Sequence, residues 1–179
     1  MAKRSNRVVV GGRHEVFIRA VRFTSLALAL LVLCFYGLAR VQAVDQTVVQ
    51  PYLTALAEVT GFALRTGGFN NFVSGHQIHS DRFTAEVDPT CGALELMAVF
   101  VAVTLPFPVN LRRRLGGLCV GLVLILLANI LRIGILFIVG STHPSMLDAA
   151  HYGYGQAFLL LVAMGIWIAW VRNASAEDR

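Results

Sequence analysis

Three side chains in this 179-residue chain combine reactivity with unusual placement: Cys91, Arg132 and His151. A thiolate is a strong nucleophile. A histidine moves protons near neutral pH. An arginine supplies a permanent cation that can hold an anion or a developing oxyanion. Arg132 lies inside the apolar run 115–140, which is otherwise interrupted only by Asn129. A charge deep in such a run costs roughly 2.5 kcal/mol or more and by default marks a functional site. The structural alternatives are snorkelling to the headgroups or a pair with Glu95. Cys91 follows Asp88-Pro89-Thr90, residues that cap and open a helix. At the third helical position, free amides and the helix dipole would lower its pKa. Taken alone, Cys91 could equally be a small packing residue. His151 opens the last apolar run, and His76, His79 and His143 compete for its role.

Two neighbours could support these groups. Glu95 falls one helical turn below Cys91 on the same face and at the depth of Arg132, so an ion pair is expected. Asn129 sits one turn before Arg132 and either braces it or marks a helix contact. A rival constellation is a zinc site built from His76, His79, Cys91 and His143. On a strand, residues three apart face opposite sides, and no tight ligand pair such as CxxC is present. Neither a metal nor a cofactor enters the reading.

The elements that must position these residues follow from composition. The chain is 56% hydrophobic and 14% charged, with a mean hydropathy of +0.68. This excludes an ordinary soluble domain and suits a small membrane bundle at about 20 apolar residues per span. The net charge of +5 is gathered at the ends of apolar runs. That distribution argues against nucleic acid as a partner. Of the three cysteines, Cys34 and Cys119 fall inside apolar runs, so no disulfide framework is expected.

The expected fold class is an all-α membrane protein with about four transmembrane helices, an interfacial amphipathic helix and a small extracytoplasmic hairpin. Residues 1–22 form a basic cytoplasmic tail, 23–171 the membrane domain and 172–179 a second cytoplasmic tail. The spans fall at about 23–40, 90–108, 115–139 and 151–171, with an extracytoplasmic segment at 41–89. Val41-Gln42-Ala43 offers a passable signal-peptidase site, but the preceding apolar run of 17 is long for a signal core, which favours a retained span. Val49, Tyr52, Leu53, Leu56, Val59 and Ala63 recur at helical spacing and predict a helix lying in the interface. Residues 77–79 and 82–87 read as two strands of a hairpin. Arg112-Arg113-Arg114 reads as a basic turn.

Orientation follows from the basic residues. Four spans put eleven Lys/Arg on one side and Arg40, Arg65 and Arg82 on the other. The richer side is cytoplasmic by the positive-inside rule. Cys91, Arg132 and His151 then share the outer leaflet, because Arg132 lies at most about 12 Å below the outer end of its span.

Three motifs in order resemble the exosortase/archaeosortase family. They are Asp88-Pro89-Thr90-Cys91-Gly92-Ala93-Leu94, Asn129-Ile130-Leu131-Arg132-Ile133, and His151 followed by Gly155 and Phe158. The likeness covers roughly residues 70 to 170 and is nearest to the short exosortase H type. It implies a sorting cysteine protease/transpeptidase of the cell inner membrane, active at the extracytoplasmic side. Its implied partners are membrane lipid and exported proteins with a PEP-CTERM-like C-terminal signal: a motif, a transmembrane helix and a basic tail. It implies Cys91 as nucleophile, Arg132 as stabilising cation and His151 as acid/base. The chain departs from the pattern in being compact and in having Gly92 directly after the cysteine, where many members place a small residue first. Glu95 is not a position tied to the family's chemistry. Two other classes stay open on the residues alone. One is a non-enzymatic membrane scaffold or partner subunit with an inert Cys91, and the other is a small anion transporter using Arg132.

Overall fold

The computed structural model describes residues 5–43 and 47–176; Lys3, Arg4, Asp45 and the last residues of the C-terminal tail lie outside them. Among the described residues five α-helices follow in chain order: α1 (Ser5–Ala43), α2 (Val49–Thr66), α3 (Leu94–Thr104), α4 (Leu111–Thr142) and α5 (Gly155–Ala176). A three-stranded antiparallel sheet, β1 (Phe72–Ser74), β2 (Gln77–His79) and β3 (Thr84–Glu86), fills the segment between α2 and α3. The fold is that of an all-α membrane protein with a small sheet. Among the described residues three helices are long and apolar enough to cross a bilayer, through Ala20–Gly37, Leu111–Thr142 and Ala149–Ala174. The segment expected as the second span contains only the 11-residue α3, about 16 Å of helix at 1.5 Å per residue.

Several expectations are corrected. From Ser5 onward the basic stretch before residue 23 is helical backbone, part of α1. Arg112–Arg114 occupy the first turn of α4, where Arg114 donates to the carbonyls of Phe107 and Val109 at 3.0 and 3.1 Å. Those bonds satisfy carbonyls in the segment just past α3, so the helix can begin earlier than its apolar run does. The α2 stripe is rotated: Leu53, Leu56, Ala57, Thr60 and Leu64 are buried, whereas Val59 and Ala63 face outward. The hairpin has a third strand, β1. Gly75, at φ +58°, opens its two-residue connection to β2, a turn that requires a positive φ.

Helix packing uses small residues in the way membrane bundles do. The ring tip of Phe100 of α3 sits against Gly121 of α4, within the cluster of Phe100, Leu118, Ile125 and Ala163. At the basic end, the Trp170 indole donates to the Arg113 carbonyl at 3.3 Å, and Phe107 packs edge-on against Trp167 and Trp170. These contacts fix the end of α5 against the start of α4. At the other end a second core joins α2, the sheet and α4, through Leu53, Ile78, Ile133 and Phe137.

A Gly121→Val substitution should overpack the α3–α4 contact and cost about 1–3 kcal/mol. Thermal unfolding in detergent should show a lowered midpoint, whereas Gly116→Ala, where nothing lies within 4 Å of the added carbon, should be nearly silent.

Candidate active site

The site is built on α4. Asn129 and Arg132 are one turn apart on its buried face, 0% and 3% exposed. Each donates to the backbone carbonyl of a different segment. Asn129 Nδ2 reaches the Cys91 carbonyl at 2.7 Å, and Arg132 Nη2 reaches the His151 carbonyl at 3.2 Å. With both segments held, Cys91 Sγ stands 3.2 Å from His151 Nε2. The three residues singled out by type and spacing therefore meet, and Asn129 acts on the cysteine segment instead of bracing Arg132. The site lies toward the end of α4 opposite Arg112–Arg114, ~27 Å away along the axis from Arg114 to Arg132.

The cysteine segment is not the start of the α-helix. Pro89–Cys91 form one 3-10 turn, in which Asp88 caps the Cys91 amide at 3.0 Å. Thr90 Oγ1 donates to the same carboxylate oxygen at 2.6 Å. Ala93, at φ 54°, then breaks the chain direction before α3 begins at Leu94. Tyr52 of α2 holds this break from the other side, donating to the Gly92 carbonyl at 2.6 Å. The Asp-Pro capping signal thus marks a turn, and the helix dipole of α3 is not placed on the thiol.

The thiol is consequently not acidified. Burial pushes Cys91 up to about 11; the Asp88 carboxylate adds to this, and the Arg132 cation opposes it. Asp88 itself sits below its ordinary value: burial acts to raise it, but the bonds from Thr90 and Cys91 outweigh burial. At neutral pH, then, Cys91 is a thiol within hydrogen-bond reach of His151 Nε2.

His151 lies in a π-helical segment, Ala149–Tyr154, that leads into α5. Such widened turns gather at functional sites. Gly155 ends it, and a side chain there would meet Arg132 Nε at 2.7 Å. Only glycine lets the guanidinium lie this close to the backbone. Arg132 Nε and Asn129 Oδ1 are buried with no hydrogen-bond partner among the described residues.

The expected Glu95–Arg132 ion pair is not formed among the described residues. The kink at Gly92-Ala93 removes the continuous helix on which that alignment depended, and Glu95 is exposed. Both residues nonetheless line one cavity of about 440 Å³ with Phe35, Leu96, Val99 and Leu160. The competing histidines have other contacts. His76 faces Glu86 at 3.5 Å, His79 stacks on Phe72, and His143 meets Thr142. Among the described residues no three possible metal ligands converge. Tyr52 was legible only as a stripe residue; its half-buried hydroxyl, which needs a partner, was the available signal.

In comparison with known proteins, the family model described as transmembrane exosortase matches residues 17–168. No curated protein and no solved structure matches the chain.

The titration of Cys91 is directly measurable. In a Cys34→Ser/Cys119→Ser background, the rate of Cys91 alkylation should rise with pH toward a midpoint near 11. The thiolate is the reacting form, so removing a nearby negative charge must shift the profile to lower pH. Asp88→Asn should do so, and an unchanged profile would contradict this electrostatic account.

Proposed function

The chain belongs to the transmembrane exosortase family, and from that premise we propose that it is a cysteine transpeptidase processing the C-terminal sorting signal of exported proteins. Family membership supports a sorting protease or transpeptidase embedded in a membrane. The single observation that carries the cysteine mechanism is the 3.2 Å approach of Cys91 Sγ to His151 Nε2. An inert scaffold cysteine has no need of that contact.

The substrate's apolar tail packs beside α1, α3 and α5, where the cavity holding Phe35, Val99 and Leu160 opens. Its motif reaches Cys91 at the outer face, the orientation favoured by the eleven-to-three excess of basic residues. As sulfur attacks the peptide carbonyl carbon, the thiol proton passes to His151 Nε2. The carbonyl oxygen becomes an oxyanion. The Cys91 and Gly92 amides are already bonded, to Asp88 and to the Pro89 carbonyl. Arg132, adjoining both reacting residues, is the cation left to stabilise that charge. Collapse breaks the C–N bond, and His151 returns its proton to the leaving amine. A thioester on Cys91 remains. An amine or other acceptor borne by the membrane, or water, gives its proton to His151 and attacks the thioester. The Cys91 thiol is regenerated.

The test is a library of exported reporters ending in randomised residues, an apolar helix and a basic tail, co-expressed with the full chain. Recovered, processed members define the motif. Cys91→Ala should abolish processing, and His151→Ala should reduce it by about 10²–10⁴-fold. Arg132→Lys, which keeps the charge but not the fork, should cost about 10²–10³-fold. Normal processing by Cys91→Ala would overturn the proposal.

A further inference from the structure

The sheet beside the site has an unused edge. Strand order is β1-β2-β3, so β3 pairs on one side only. The phase of its ladder is fixed by two bonds: Ser80 N to Phe83 O at 2.8 Å and Val87 N to His76 O at 2.9 Å. In an antiparallel pair, hydrogen-bonded and non-hydrogen-bonded positions alternate. Residues 83, 85 and 87 therefore turn their amides and carbonyls to β2. Thr84 and Glu86 turn theirs away, and no other backbone bond to either is found among the described residues. The inner face of the same strand is occupied, since Phe83 and Ala85 pack on the core and Val87 is 1% exposed.

This edge opens on the catalytic pair. A cavity of about 230 Å³ is lined by Thr84, Ala85 and Glu86 together with Cys91, His151 and Tyr152. It is separate from the apolar cavity on the α1/α3/α5 side. The opposite edge, β1, adjoins α2, whereas β3 adjoins α4, the helix that carries Asn129 and Arg132.

We infer that the free edge of β3 binds the substrate's motif as an added β-strand, which brings the scissile carbonyl to Cys91. This rests on the transpeptidase reading above. Two amides and two carbonyls spaced about 7 Å apart along a strand are complementary to an extended peptide backbone. A lipid headgroup or a helix cannot satisfy both donors and acceptors at that spacing. The edge accounts for a requirement that the three catalytic residues leave open, namely how a flexible motif is held straight at the nucleophile. The motif would lie on the sheet side and its apolar tail on the side of Phe35 and Val99.

The experiment uses a synthetic peptide with the motif recovered from the reporter library, its apolar helix and its basic tail, in vesicles containing the full-length chain. Single backbone N-methylation is walked through the motif. Edge pairing predicts alternation: methylation at every second residue lowers kcat/KM by about 3- to 10-fold per blocked bond, while the residues between are tolerated. In the protein, Thr84→Pro and Glu86→Pro should reduce processing, because each removes an edge N–H without touching the β2 ladder. Thr84→Ala and Glu86→Ala keep the edge N–H and should lose less processing than the matching proline variants. The peptide scan keeps the test decisive should the proline variants misfold. A scan without alternation overturns the inference even if Cys91→Ala is inactive. Should Cys91→Ala process the unmodified peptide, the transpeptidase reading itself fails instead.

Discussion

The site depends on two buried donors one turn apart on α4. Asn129 and Arg132 each spend a hydrogen bond on a main-chain carbonyl, those of Cys91 and His151. Neither bond involves the Cys91 thiol or the His151 imidazole. Together they fix two segments 60 residues apart so that sulfur and imidazole meet. In hydrocarbon an unsatisfied carbonyl is expensive, so each bond contributes more through the penalty that it removes than through its own strength. The constraint also explains why these carbonyls are available. One belongs to a 3-10 turn and the other to a π-helical segment, both departures from the regular helix that frees carbonyls only at its C-terminal end.

In the proposed mechanism Cys91 is a nucleophile activated on demand. Burial and Asp88 keep the thiol protonated, so the resting pair is neutral and the ion pair arises only as sulfur attacks. A neutral pair suits a site enclosed by apolar helices. A standing thiolate there would be exposed to oxidation and to stray electrophiles. Asp88 contributes twice, as the cap that shapes the turn and as the charge that restrains the thiol. Family membership gives this geometry its chemical setting, and the proposed proton path through His151 rests on its 3.2 Å approach to Cys91.

Much of this was legible in the sequence. Arg132 in an apolar run, Cys91 beyond Asp88-Pro89 and His151 at the mouth of the last run were each identifiable from residue type and place, and they do converge. What was not legible has a common cause: the local signals were those of regular helix. Ala93 adopts a left-handed conformation that alanine disfavours, and it does so because Tyr52 and Asn129 hold the flanking carbonyls from distant helices. No local pattern announces such a tertiary constraint. The Glu95 pairing and the dipole argument both assumed that the helix ran through this point. Similarly, β1 is three residues long, and its place in the sheet comes from pairing with β2 and packing on α2, with little propensity of its own. The exposure of Val59 and Ala63 shows that apolar residues at helical spacing in a membrane protein need not all face the core.

The central claim is that Cys91 forms a covalent bond to the substrate. Intact-mass and peptide-mapping spectrometry of the full chain, acid-quenched during turnover of a processed reporter peptide, tests this directly. The account predicts an acyl adduct on Cys91 that hydroxylamine removes and that accumulates when the acceptor is withheld. Continued processing with no adduct on Cys91, or an adduct mapped to another residue, would contradict it.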